Sequence, residues 1–195
     1  MIRGELGAAP WDVLHIGLHK QFGLSIGSWS IIAGGAVLAA SGLLMREWPH
    51  IGAYLNMILF GVFIDAVLNL PFMVTPGHWL PKTVMFLSGM VIYAYGMAFY
   101  ISAGLGAGPR DSFMLALKEI TGWKVSRVRS LMEVTVLIAG WLLGGPVFIG
   151  TLIFSLGVGT VTGYSLPQCE RFTAAILAGI DRRKKDKDSK RRASV

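Results

Sequence analysis

The stretch Leu105-Gly106-Ala107-Gly108-Pro109-Arg110-Asp111 repeats a phrase from the start of the chain, Leu6-Gly7-Ala8-Ala9-Pro10-Trp11-Asp12. We call the earlier phrase the first motif and the later one the second motif. Leu, Gly, Ala, Pro and Asp occupy equivalent positions in the two motifs, and Gly23 is equivalent to Gly122 further on. Similarity at a fixed spacing indicates an internal duplication.

The composition is that of an integral membrane protein. Of 195 residues, 53% are hydrophobic and 15% are charged, whereas a soluble domain carries roughly 25% charged residues. Residues 1–180 are predicted to form one membrane domain, and 181–195 a disordered, basic cytoplasmic tail. Eight Lys/Arg and three Asp lie between Asp181 and Arg192, so most of the net charge of +7 is in this tail. Such a tail indicates contact with anionic lipid headgroups, and we expect no nucleic-acid partner.

The expected fold is all-α, with five segments long and apolar enough to cross a bilayer. They are predicted at 28–45, 51–70, 83–103, 130–143 and 147–166. Two shorter helices, 10–22 and 109–121, each follow a motif, and at about 20 Å they are too short to span. They are predicted to be interfacial or re-entrant. Residues 167–180 are predicted to lie along the membrane surface.

The distribution of Lys and Arg predicts the orientation. With the tail inside, 15 of these residues fall on the inner side and three on the outer side, which is a strong positive-inside signal. The N-terminus is then outside and the C-terminus cytoplasmic. Repeat one (1–70) and repeat two (83–166) are therefore predicted to be inverted relative to each other, in a 3+3-type arrangement whose first helix is missing. We expect either an apolar segment upstream of Met1 or a homodimer that covers the resulting groove.

The motifs resemble those of the YczE/YitT group of bacterial multi-pass membrane proteins. Members carry Leu-Gly-x-x-Pro-Trp-Asp-x-Leu early and Leu-Gly-x-Gly-Pro-Arg-Asp in the second half, here Leu6–Leu14 and Leu105–Asp111. Two further segments also resemble segments of the group: Glu133-Val134-Thr135 and Ile149-Gly150-Thr151. The resemblance implies a protein of the bacterial inner membrane with one more apolar helix at its start. It implies no substrate and no reaction.

The motif residues are the main candidates for a binding site, because the broken helices of transporters place their ends around a central site. The candidate substrate-binding residues are Gly7, Pro10, Asp12, Gly106, Pro109, Arg110, Asp111 and, inside a span, Asp65. For Asp12 and Asp111 the alternative is a stabilising acid in the first turn of a helix, worth roughly 0.3–1 kcal/mol. Asp65 indicates either a functional carboxylate or one that reaches water near the outer end of its span.

Other ionisable residues have simpler interpretations. Arg129 precedes Glu133 by one helical turn, which predicts a structural ion pair. Asp12, His15 and His19 share one helical face, but interfacial histidines are more often solvated than bound to a metal, so no metal and no cofactor are expected.

The sequence contains no Walker loop, nucleophile elbow or zinc-ligand spacing, so it predicts no catalytic residue and no enzyme. Two functional classes stay open. One is a small secondary transporter or channel, and the other is an accessory or regulatory membrane protein that acts through a partner. A polar cavity that reaches Asp12 and Asp111 would favour the first class, and a dry, solid bundle the second.

The predicted topology can be tested by labelling cysteines with a membrane-impermeant reagent. Cysteines at Ser28 and Ser194 should react from opposite sides of the membrane, since the Lys/Arg distribution places the start of the first span outside and the tail inside. Labelling of both positions from the same side would contradict the predicted orientation.

Overall fold

The computed structural model describes residues 1–71, 74–102 and 108–193, with the side chains of all of these except 125, 126 and 179–193. Over these residues it is helical, with no strand. A short 3-10 turn, Ile2–Gly4, precedes seven α-helices: α1 (Pro10–Phe22), α2 (Ile26–Met45), α3 (Ile51–Leu68), α4 (Trp79–Ser102), α5 (Pro109–Thr121), α6 (Val125–Leu142) and α7 (Ile149–Ala193).

The two short helices have the predicted bounds. Each is 13 residues long, has Pro in its first turn and ends at a glycine, Gly23 for α1 and Gly122 for α5. Proline suits the first helical position because its fixed φ is already helical and its missing N–H would have no partner there.

Among the described residues, four helices, not five, are long and apolar enough to span a membrane: α2, α3, α4 and the first part of α7, Ile149–Ala178. The prediction of five spans in an inverted 3+3 repeat is corrected in this detail. α6 begins before the predicted start at residue 130 and therefore includes Arg127 and Arg129 in addition to Glu133. Three charges within 18 residues make α6 too polar for an isolated span.

Large apolar side chains point outward from the spans. Leu43 on α2 is 81% exposed and Leu156 on α7 is 82% exposed. Apolar surface of this kind is stable against lipid tails, which are as apolar as leucine. The exposed faces therefore agree with a membrane-embedded bundle.

α4 and α7 lie side by side and run in the same direction. Near the start of α7 and the middle of α4, the Tyr93 and Phe154 rings meet edge to face at 5.3 Å. At the end of α4, the Ser102 and Thr173 hydroxyls are 2.8 Å apart. Between α4 and α7, the chain therefore returns the length of the bundle through α5 and α6.

α7 continues through Pro167, where the sequence predicted the end of a span. Packing against α4 persists beyond this residue, since the Tyr95 hydroxyl donates to Gln168 Oε1 at 2.9 Å. Neighbouring helices commonly stabilise a proline inside a membrane helix in this way. The surface position of 167–180 and the disorder of 181–195 stay predictions.

The segment before α1 is joined to the start of α7. Gly150 N–H donates to the Leu6 carbonyl at 2.8 Å, and Ala8 N–H donates to Thr151 Oγ1 at 3.3 Å. Between them, Gly7 has φ 128°, and a Cβ there would lie 2.5 Å from Thr151 N. Only glycine fits both the conformation and the space.

This segment carries the chain into the interior before α1 begins. Ala9 packs with Met90 of α4 and Phe154 of α7, well away from the ends of the bundle. α1 then runs back beside α6, so that Lys20 Nζ donates to the Gly144 carbonyl at 2.8 Å. α1 is therefore largely buried against its neighbours, and its re-entrant or interfacial placement in the membrane stays a prediction.

Candidate functional site

A cavity of about 380 Å³ lies at the N-terminal ends of α1 and α5. Its polar lining comes from six helices and consists of His15, Ser30, Asn56, Tyr93, Tyr100, Arg110, Asp111, Arg129 and Glu133. Its larger apolar lining residues are Trp11, Met57, Phe60, Met97, Met114 and Met132. The volume lies at the lower end of the roughly 300–1,000 Å³ typical of small-molecule sites.

The two motifs meet in this cavity. The Arg110 guanidinium lies over the Trp11 ring, 4.6 Å from its centroid, and 5.8 Å from the centroid of Phe60. Trp11 and Arg110 occupy equivalent positions in the two motifs. Cation–π contacts of this kind contribute about 0.5–2 kcal/mol, more when they are desolvated. The contact therefore connects the starts of α1 and α5.

Two ionisable side chains of α1 are buried, and burial shifts both pKa values. It raises the pKa of the Asp12 carboxyl, against the opposing effects of Arg110 and the Met1 amino group. It lowers the pKa of His15 to about 3, and the positive charge of Arg110 acts in the same direction. His15 Nδ1 has no hydrogen-bond partner among the described residues. A neutral imidazole, able to donate or accept, therefore lines the cavity.

The charges of α6 face the cavity as an ion pair. Arg129 Nε donates to Glu133 Oε1 at 3.4 Å, which confirms the predicted pair one turn apart. Both residues line the cavity. Opposite them, burial raises the pKa of Asp111, while Arg129 and Arg110 act to lower it. Two of the three charges that make α6 too polar for an isolated span thus border the cavity, whereas Arg127 is exposed.

The structure brings some of the predicted site residues together. Pro109, Arg110 and Asp111 line the cavity. Asp12 is not part of the lining but is buried nearby, where its charge interacts with that of Arg110. Gly106 lies outside the described residues.

The other candidates lie away from the cavity lining. Gly7 contacts Thr151, and Pro10 is buried at the first position of α1. Asp65 accepts hydrogen bonds from Gly27 N–H at 2.8 Å and from the Ser25 hydroxyl. These bonds satisfy groups at the start of α2, so Asp65 has a structural role there.

The predicted alignment of Asp12, His15 and His19 does not form a cluster. His19 is exposed, and its Nδ1 is hydrogen-bonded to the Leu24 carbonyl. Across the described ranges, no three His, Cys, Asp or Glu side chains are placed to share a metal ion.

Several lining residues were not candidates from the sequence. Tyr93, Tyr100 and the methionines sit in apolar helices, where nothing in the sequence separates a cavity wall from a lipid-facing side. For Trp11 the sequence did contain an indication, because this residue occupies the motif position equivalent to Arg110. Where duplicated segments meet, equivalent positions can face each other.

Exposed apolar spans around a cavity with charged and apolar walls define a multi-pass membrane protein with a candidate small-molecule site. The chain belongs to the family described as "Family of unknown function (DUF6198)", which matches residues 1–166.

Three curated relatives are similar over most of the chain. "Uncharacterized membrane protein YczE" of Bacillus subtilis (strain 168) is 46% identical over 164 residues, covering 84% of this chain and 75% of the relative. An "Uncharacterized protein" of Haemophilus influenzae is 32% identical, covering 85% and 75%. "Uncharacterized protein YyaS" of B. subtilis is 27% identical, covering 87% and 85%. These matches confirm the resemblance to the YczE group. No solved structure matches the chain.

The burial of His15 predicts a pH effect on stability. Between its ordinary pKa of 6.5 and its folded value of about 3, the unfolded chain binds a proton that the folded protein does not. His15 therefore lowers stability as the pH falls below 6.5, by up to about 1.4 kcal/mol per pH unit. Asp12 and Asp111 act in the opposite direction because their folded pKa values are raised.

We expect His15→Asn to gain thermal stability relative to the unaltered protein as the pH is lowered from 6.5 to 4.5. The measurement is the thermal midpoint in detergent at each pH. His78→Asn, at an exposed position, is the control and should follow the unaltered protein. Parallel pH profiles for His15→Asn and the unaltered protein would contradict the burial argument.

Proposed function

We propose that this protein is a small secondary transporter or channel of the bacterial inner membrane, and that the cavity at the start of α1 and α5 is its substrate site. The observation that carries the proposal is the cavity itself. Both short helices begin at its wall, and each contributes a charged or aromatic motif residue, Arg110 from α5 and Trp11 from α1. Half-helices that end at a central cavity are a recurring way to build a transport site.

The charged lining also supports this proposal over a purely structural role. Ionisable groups inside a membrane domain are unfavourable and are commonly retained along substrate or ion pathways. Here four of them, Arg110, Asp111, Arg129 and Glu133, line one cavity. An accessory protein that acts only through its outer surface has no need of such a cavity. The proposed activity is binding and passage of a solute, without catalysis.

In this proposal α6 is the charged wall of the cavity within the membrane domain. The parallel arrangement of α4 and α7 supports a return of the chain between them through α5 and α6. The Lys/Arg distribution orients this arrangement in the proposal, with position 28 and the N-terminus outside and the basic tail near anionic cytoplasmic lipid.

The substrate-site proposal predicts that filling the cavity abolishes uptake. Gly96 lines the cavity, and a Cβ added there meets no atom within 4 Å, so Gly96→Leu should fold without a clash and add bulk at the cavity wall. The assay incubates proteoliposomes with a metabolite extract and identifies the retained compounds by mass spectrometry. We expect at least one compound to accumulate above empty liposomes, and Gly96→Leu to reduce it by about tenfold or more, because a leucine occupies space that a small ligand needs.

Gly163→Leu is the matched control. It makes the same change on α7, at a glycine that is exposed like Gly96 and has no atom within 4 Å of an added Cβ, but that lies outside the cavity lining, so it should leave uptake intact. Equal uptake by Gly96→Leu and Gly163→Leu at equal abundance would contradict a substrate site in the cavity. No accumulation by the unaltered protein would favour the accessory-protein alternative.

A further inference from the structure

The cavity contains an arginine without a carboxylate partner. Arg110 lies against the Trp11 ring, and no ion pair formed by the described residues includes it. Arg129, by contrast, is paired with Glu133. An unpaired guanidinium in a protein interior is unfavourable unless a further group compensates its charge. Arg110 is therefore available to bind an anion.

The start of α5 adds positive potential at the same place. Gly108, the residue before the helix, offers no side-chain cap to the first amides of α5, and Gly108 and Pro109 both line the cavity. The partial positive charge of a helix N-terminus favours a bound anion.

His15 is an independent indication of a ligand. Its side chain is 1% exposed, lines the cavity, and has an Nδ1 without a hydrogen-bond partner among the described residues. A buried polar atom of this kind is unfavourable unless a ligand or water completes its hydrogen bond. The imidazole can supply that bond opposite Arg110.

The acids near Arg110 do not pair with it. Glu133 is paired with Arg129. Asp12 and Asp111 lie close enough for their charges to interact with that of Arg110, but neither is among the ion pairs of the described residues. The Arg110 guanidinium therefore keeps its hydrogen-bond donors for a ligand.

The rest of the cavity wall is suited to the apolar part of a ligand. Trp11, Phe60 and Tyr93 provide aromatic surface, and four methionines complete it at Met57, Met97, Met114 and Met132. Methionine side chains are flexible and polarisable, so they adapt to ligands of different shape.

From this arrangement we infer that the cavity binds a small organic anion. Its anionic group lies between the Arg110 guanidinium, the start of α5 and the His15 imidazole, and its apolar part lies against the aromatic and methionine side chains. The inference rests on the proposed function, because it names the class of solute that the same site takes.

The test uses three probes of similar shape and different charge: phenylacetate, phenylacetamide and phenylethylammonium. The full chain is placed in nanodiscs of phosphatidylcholine alone, and each affinity is measured by titration calorimetry. We expect phenylacetate to bind about tenfold or more tightly than phenylacetamide, the difference that one hydrogen bond to a charged group makes. Phenylethylammonium should bind more weakly still.

Substitutions then assign the preference to Arg110. Arg110→Gln should weaken phenylacetate by about tenfold or more and leave phenylacetamide unchanged. Arg110→Lys retains the charge and should keep part of the preference for phenylacetate. Retained binding in this variant shows that the protein tolerates a substitution at position 110, so that a loss in Arg110→Gln is not explained by misfolding. Arg46→Gln, at an exposed position outside the cavity, is the control and should bind all three probes like the unaltered protein.

The outcomes separate this inference from the proposed function. Binding without preference for phenylacetate, or a preference that survives in Arg110→Gln, overturns the anion site but leaves the cavity as a binding site if Gly96→Leu removes that binding. No binding of any probe overturns the inference directly. Stabilisation by phosphatidylglycerol in the nanodiscs, with no response to phenylacetate, assigns the site to a lipid headgroup and also overturns it.

Discussion

The burial of a short, polar helix is the constraint on which the rest of the structure depends. α1 is too short to cross a bilayer, yet Asp12 and His15 are buried. Its position is possible because neighbouring backbones approach closely: Gly7 fits against Thr151, and a Cβ at Gly140 of α6 would lie 2.5 Å from Leu14 N. With α1 held in this way, its first turn lies in the interior of the bundle.

The same placement explains where the charged residues lie. The first turns of α1 and α5 face each other across Trp11 and Arg110, and the ion pair of α6, Arg129 with Glu133, completes the wall. Charge is costly in a membrane interior, so gathering it around one cavity keeps it away from lipid. The outer faces can then stay apolar, as Leu156 illustrates. A membrane-compatible surface and a polar interior follow from one packing arrangement.

Much of this could be predicted from local sequence, and the rest depended on contacts between distant segments. Pro10 and Gly23 fixed the ends of α1, and the pair Arg129–Glu133 followed from helical spacing. The role of the Asp65 carboxylate could not be assigned from the sequence, because its hydrogen-bond partner Gly27 lies on another helix. Hydropathy alone counted α6 as a span, since the sequence did not show that its helix extends back over Arg127. The cavity required knowing that the motifs meet, which periodicity cannot show.

The most direct test of the account is whether the two motifs are in contact in the membrane. In a Cys169→Ser background, Trp11→Cys combined with Arg110→Cys should be joined by a short bifunctional thiol reagent, because the two side chains touch. Trp11→Cys combined with Lys118→Cys, at an exposed position further along α5, should not. Failure of the first pair to crosslink, with both cysteines reactive toward a monofunctional reagent, would contradict a shared cavity between the motifs.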